Sequence, residues 1–351
     1  MFSCLAAASA VFLGGCKAKG ETLDYQQLVT DAAAEGQVVS LAMPDEWANW
    51  GATWQDLSIY YDIAHQDTDM NSAEELEQFA AGIGDIGDVG FAYGGQAEKE
   101  KITEKYKTSY WEEIPDWAKD DDGDWMVAYT GTLAFLVKNG TGDVSMSWKD
   151  LQDGAYTVGT SDVTTSSQAQ YTVYAAALAF GGDAKNIQPG IDFFKTLAEQ
   201  GRLTDQLHDQ TTSLESDVDV NIKWDFIALS YRDAAALEDV QYGVCVPSDG
   251  SVTVGYASVI NKKAEHLAAA KLAREYIFSD AGQLNLANGY ATPIRAIVLP
   301  EQLEEQRINR SQYHEEMIQN GLAFTDAVGE KIAEEWSKQV LPILDAQGRA
   351  N

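Results

Sequence analysis

Two acids and two tryptophans fall within six residues, Asp45-Glu46-Trp47-Ala48-Asn49-Trp50, with Trp54 close behind. Carboxylates beside aromatic faces suit an organic cation, through charge-assisted hydrogen bonds and cation–π attraction. Lys223-Trp224-Asp225-Phe226 repeats the pairing and makes Asp225 a strong candidate for a cation partner. Asp88 and Tyr93 bracket a third such segment. Thr164-Thr165-Ser166-Ser167-Gln168 offers the opposite chemistry. Its hydroxyls and amides at a helix start suit phosphate or carboxylate, or simply cap the helix. Arg232 can clamp an anion or pair with the adjacent Asp233. Tyr256 and Tyr290 can close an aromatic wall. Tyr60-Tyr61 offers tyrosinate oxygens to a ferric ion, but neighbours on a strand point to opposite faces.

Catalytic signatures are scarce. There is no G-x-S-x-G, no G-x-x-x-x-G-K-[ST], no G-x-G-x-x-G and no H-E-x-x-H. The four histidines, His65, His208, His266 and His314, are scattered; the last two read as surface, the first two as able to line a cleft. Asp120-Asp121-Asp122-Gly123-Asp124 is a turn without the closing Glu of a calcium loop. No metal site, cofactor or catalytic residue is expected. A secreted hydrolase using paired carboxylates is the alternative of another class, because the many acids offer many pairs.

The elements that must position these residues alternate. Tyr25 to Ala34 reads as a helix, Val38 to Ala42 as a strand, Ser58 to Ile63 as a second strand, and Asn71-Ser72 as the cap of a helix. Asp88 to Phe91, Met126 to Val137, Tyr156 to Gly159 and Val252 to Ile260 read as further strands, and Tyr171 to Phe180, Ile191 to Gln200 and Ala264 to Phe278 as helices. This alternation predicts an α/β fold.

The chain has 351 residues, 24 Lys and Arg against 55 Asp and Glu, a formal charge of −31 and 45% hydrophobic content. That suits about two globular domains of roughly 100–200 residues each. The charge argues against nucleic acid and against docking of the folded surface on anionic lipid. The apolar run Phe2 to Leu13 is too short to span a bilayer and closes on small residues, the pattern of an export signal, although Met1-Phe2-Ser3 lacks the usual basic opening. Of three cysteines, Cys4, Cys16 and Cys245, the last reads as a buried, inert thiol in an apolar strand.

Leu13-Gly14-Gly15-Cys16 resembles a bacterial lipobox, which implies cleavage before Cys16 and lipid attachment there. The rest, roughly residues 22 to 350, resembles the extracellular solute-binding proteins of bacterial ABC importers. More narrowly, it resembles the cluster with spermidine/putrescine-, thiamine-, ferric-ion- and organophosphate-binding members. The stretches that carry this are Leu28 to Val39, Met43 to Trp50, Asp85 to Gly90, Ser147 to Leu151, Pro189 to Phe194, Trp224 to Phe226, Val246 to Gly250 and the helix at Ala264 to Phe278.

The resemblance implies a two-lobed, type II periplasmic-binding-protein-like α/β fold with a ligand cleft between lobes. The expected division is residues 1–15 as export signal, 16–24 as tether, 25–129 plus 252–294 as lobe 1, and 130–251 plus 295–351 as lobe 2. The implied role is non-enzymatic: capture of a small solute by hinge closure and delivery to an ABC permease. A polyamine- or thiamine-like cation is favoured, with an organophosphate or carboxylate anion, or ferric ion, as alternatives. The protein is expected to be monomeric, extracytoplasmic and lipid-anchored, at the cell surface or in the periplasm, and to bind no nucleic acid. Ligands sit at the carboxyl ends of strands in such sheets. That rule nominates Asp45, Glu46, Trp47, Trp50, Asp88, Tyr93, Ser166, Ser167, Trp224, Asp225, Arg232 and Tyr256.

Overall fold

A computed structural model describes residues 25–139 and 144–348. Ten strands join one continuous sheet: β1 Gln37–Leu41, β2 Ala64–Thr68, β3 Ile86–Gly90, β4 Trp125–Lys138, β5 Val158–Gly159, β6 Leu203–Thr204, β7 Val220–Trp224, β8 Tyr242–Cys245, β9 Thr253–Ile260 and β10 Thr292–Pro293. The order is β2-β1-β3-β9-β4-β7-β5-β6, with β8 and β10 pairing β4 off that path.

The long strand β4 belongs to both halves. Its first part pairs antiparallel with β9 as far as Thr132 opposite Thr253. From Leu133 opposite Trp224 it pairs with β7, and further on with β8. Outward from β4 the two halves mirror each other, with parallel β1–β2 and β1–β3 on one side and parallel β5–β7 and β5–β6 on the other. All pairings of β4 are antiparallel, and helices also pack against it, so it is buried from Met126 to Val137. The chain changes sides within β4, between β8 and β9, and again after β10, which pairs Thr130 and Tyr129.

Several helix starts follow from local chemistry. The Asn71 side chain accepts from the amides of Ala73 and Glu74 while Glu74 reaches back, a reciprocal cap. Ser147 and Asp150 do the same for the Trp148–Asp153 helix.

Two expectations need correction. Ser58 to Ile63 is not a strand: residues Trp50–Tyr61 form a helix, and β2 starts only at Ala64. The aromatic and branched run suits a strand locally, but Trp50, Thr53, Trp54 and Leu57 repeat at helical spacing and are all buried. Ile59 and Tyr60 face outward, 64% and 68% exposed, and Asp62 ends the helix in the left-handed region. His266 is not a surface residue. It is buried, with Nδ1 2.8 Å from Asp85 Oδ2 and Nε2 2.8 Å from Gln37 Nε2, partners far away in sequence. The acidic turn keeps its acids busy: Asp120 accepts from the amides of Asp122 and Asp124. Cys245 is buried, and burial pushes its thiol up to about 11. Cys16 lies outside the described residues.

Candidate functional site

A cavity of about 680 Å³ opens where strands from both halves of the sheet end. Asp45, Glu46 and Trp47 follow β1; Asp69 follows β2; His208 and Asp209 follow β6; and Phe226 and Ile227 follow β7. Asn288 to Tyr290 close one side. This placement obeys the rule that crevices form beyond the carboxyl ends of strands.

Four carboxylates line this cavity, those of Asp45, Glu46, Asp69 and Asp209, against one ammonium, Lys223. Partial burial pushes the Asp69 carboxyl up, and the negative charges of Asp67 and Glu46 add to that. Asp209 is held down, first by the amide of Thr212, whose helix it caps. Lys223 is 1% exposed, and its Nζ donates to Leu207 O at 2.5 Å and Ser161 Oγ at 3.3 Å. Burial pushes the Lys223 amine down to about 8.

Aromatic rings build the inner wall. Trp47 meets Phe226 edge-on at 5.2 Å and Tyr256 at 5.6 Å. Tyr256 stacks on Tyr129 at 5.2 Å. Edge-to-face and offset pairs of this kind hold ring orientation as well as area. The Trp47 indole N–H donates to Tyr129 Oη at 2.6 Å, and Tyr129 donates to Asp88 Oδ2 at 2.6 Å. Burial raises the Asp88 carboxyl to about 8 despite that bond.

Of the nominated residues, Asp45, Glu46 and Trp47 line the cavity, and Tyr256 stands half-buried behind Trp47. Arg232 lies beside it, bonded to Asp233 and to Gln306 O, with its guanidinium 5.7 Å from the ring of Tyr290. Ser166 caps the Ser167–Ala179 helix through the amide of Ala169; neither Ser166 nor Ser167 lines the cavity, and Gln168, two residues after the cap, does.

The remaining nominees are corrected by their placement. Trp50 and Trp224 are fully buried in the core. Asp225 is buried too, and its oxygens accept from the amides of Thr132 and Phe226 and from Tyr313. Three donors already satisfy that carboxylate, so it serves the fold and is not an open cation partner. Asp88 sits beneath the wall, under Tyr129. Tyr93 is half-buried away from the cavity, in the field of Asp326 and Glu330. Tyr60 is an exposed helix residue, and Tyr61 is bonded to Tyr25.

Sequence reasoning missed Asp69 and Asp209. Placing a strand at Ser58 to Ile63 hid the true end of β2 at Thr68, and with it the loop that carries Asp69. Asp209 follows a strand of only two residues, which leaves no periodic signal.

A family model described as bacterial extracellular solute-binding protein matches residues 79–314. The chain belongs to this family. The solute-binding protein also shares its fold with solved structures. The periplasmic binding protein AfuA from Actinobacillus pleuropneumoniae, with exogenous fructose-6-phosphate bound, is 16% identical. That match covers 87% of this chain and 99% of that one, with a TM-score of 0.69. The spermidine/putrescine ABC transporter substrate-binding protein PotD from Streptococcus pneumoniae is 12% identical over 88% and 99%, at 0.65. Iron-bound HitA from Pseudomonas aeruginosa is 13% identical over 89% and 99%, at 0.62. Among curated proteins, none matches this sequence. The fold is thus the two-lobed, type II periplasmic-binding-protein fold, and the family's work is binding and not catalysis. Among the described residues, no helix is long and apolar enough to cross a membrane.

Proposed function

We propose that this protein is the receptor of an ABC importer and captures an organic cation in the cavity beside Trp47. Residues 25–129 plus 252–294 form one lobe and residues 130–251 plus 295–351 the other, and closure about the β4 crossing traps the solute. A lipid on Cys16 tethers the receptor to the cell membrane, beside its permease. The observation that carries the substrate reading is the set of four cavity carboxylates next to the Trp47 ring. Carboxylates cancel the charge of an ammonium group, and an indole face attracts it further.

A thermal-shift screen tests this with spermidine, putrescine and thiamine against fructose 6-phosphate and ferric citrate. A solute that binds only the folded state raises the midpoint. Cations alone should do so. A shift with fructose 6-phosphate or ferric citrate, and none with the cations, would overturn the substrate reading.

A further inference from the structure

Lys223 does not fit a site built for a cation alone. It lies in β7, buried, and lines the same cavity as the carboxylates. An ammonium carries three donors, and the two bonds of Lys223 go to a carbonyl and a hydroxyl, both neutral. The charge of Asp209 favours its protonated form, but neither of those bonds reaches a carboxylate. Burying an ammonium without a bonded counter-charge is costly. Gln168 reaches the cavity from the first turn of the 13-residue Ser167–Ala179 helix, where the helix dipole favours negative charge.

We propose that the solute carries both charges: a cationic group facing Asp45, Glu46 and Asp69, and an anionic oxygen group that pairs with Lys223. This rests on the cation reading above and narrows it. A simple cation would be repelled by Lys223 on entering fully. A simple anion would meet four carboxylates. A zwitterion satisfies both walls, and each wall rejects the wrong singly charged solute.

The test is calorimetry and thermal shift on the full chain with matched sets: choline and glycine betaine, then butylamine, 4-aminobutyrate and butyrate. The zwitterion of a set should bind at least about 10-fold tighter than its cation, and the anion should bind weakest. In Lys223→Gln, which can still donate to Leu207 O, the zwitterion should lose that advantage while the cation holds or gains. Equal or tighter binding of the cation in the unaltered protein would sink the zwitterion and leave the cation reading standing. Tightest binding of butyrate would sink both. Equal losses for zwitterion and cation in Lys223→Gln would reduce Lys223 to a structural residue and overturn the proposal.

Discussion

The indole N–H of Trp47, on the cavity wall, donates to the hydroxyl of Tyr129, inside the sheet, at 2.6 Å. A ring of the cavity wall is thereby fixed from behind by a residue of β4, the strand shared by both halves of the sheet. Asp88 completes the chain by accepting from Tyr129. The wall therefore depends on residues that do not themselves line the cavity.

Tyr129→Phe keeps the ring and removes the relay. Leaving the Trp47 donor and the Asp88 acceptor unpaired should destabilise the protein by about 1–3 kcal/mol. Trp47 should also lose its fixed orientation. Urea titration reads the first effect, and tryptophan fluorescence with solute binding reads the second. Unchanged fluorescence and affinity would show that the rings alone hold Trp47.

Asp45→Asn and Asp69→Asn each remove a carboxylate from the mouth with little change of shape. Exposed charge pairs contribute about 0.2–1 kcal/mol, so each variant should bind a cationic solute about 1.4–5-fold more weakly. The double variant should also lose part of the salt dependence of binding. Calorimetry at low and high salt checks both, and full affinity in the double variant would remove this wall from the site.

Asp88→Asn should change the pH dependence of stability. The folded carboxyl titrates near 8 against an ordinary value of 3.8. Between those values the folded protein holds a proton that the unfolded chain has released. Asp88 thus contributes stability below about pH 4 that is lost as pH rises towards 8, at most about 1.4 kcal/mol per pH unit. His65 acts oppositely at the acid end: burial lowers it from 6.5 to about 4, so its contribution is lost as pH falls between those values. Wild-type minus Asp88→Asn unfolding energies, measured from pH 4 to 8, should decline steadily with pH. A flat difference would mean that Asp88 is ionised in the fold.

Gly131→Ala tests the crossing in β4. A methyl there would lie 2.6 Å from Phe226 Cε1, and Phe226 packs on Trp47. Overpacking of this kind costs about 1–3 kcal/mol. The melting temperature should fall and the fluorescence of the cavity wall should shift. A variant as stable as the parent would show that Phe226 gives way freely.

Cys16→Ala should release the protein from the membrane fraction without altering solute affinity. Fractionation after metabolic labelling with a fatty acid reads this. Retention of label in the variant would place the anchor elsewhere.

Features fixed by near neighbours were legible in the sequence. The α/β alternation, the cap at Asn71, the long strand through Val137 and the loop of Asp45, Glu46 and Trp47 all depend on residues a few positions apart. The resemblance to a solute-binding family rested on the order of such stretches, and the family match agrees with it. Which acids share the cavity was decided only by tertiary structure. Strand pairing sets Asp69 after β2 and Asp209 after β6 around one opening, although 140 residues separate them. The same packing took Trp50, Trp224 and Asp225 out of the cavity lining, since the core claimed two indoles, and the amide of Phe226 with the distant Thr132 and Tyr313 claimed the carboxylate. A side chain's type states what it can bind. Whether it is free to bind depends on which distant groups reach it first.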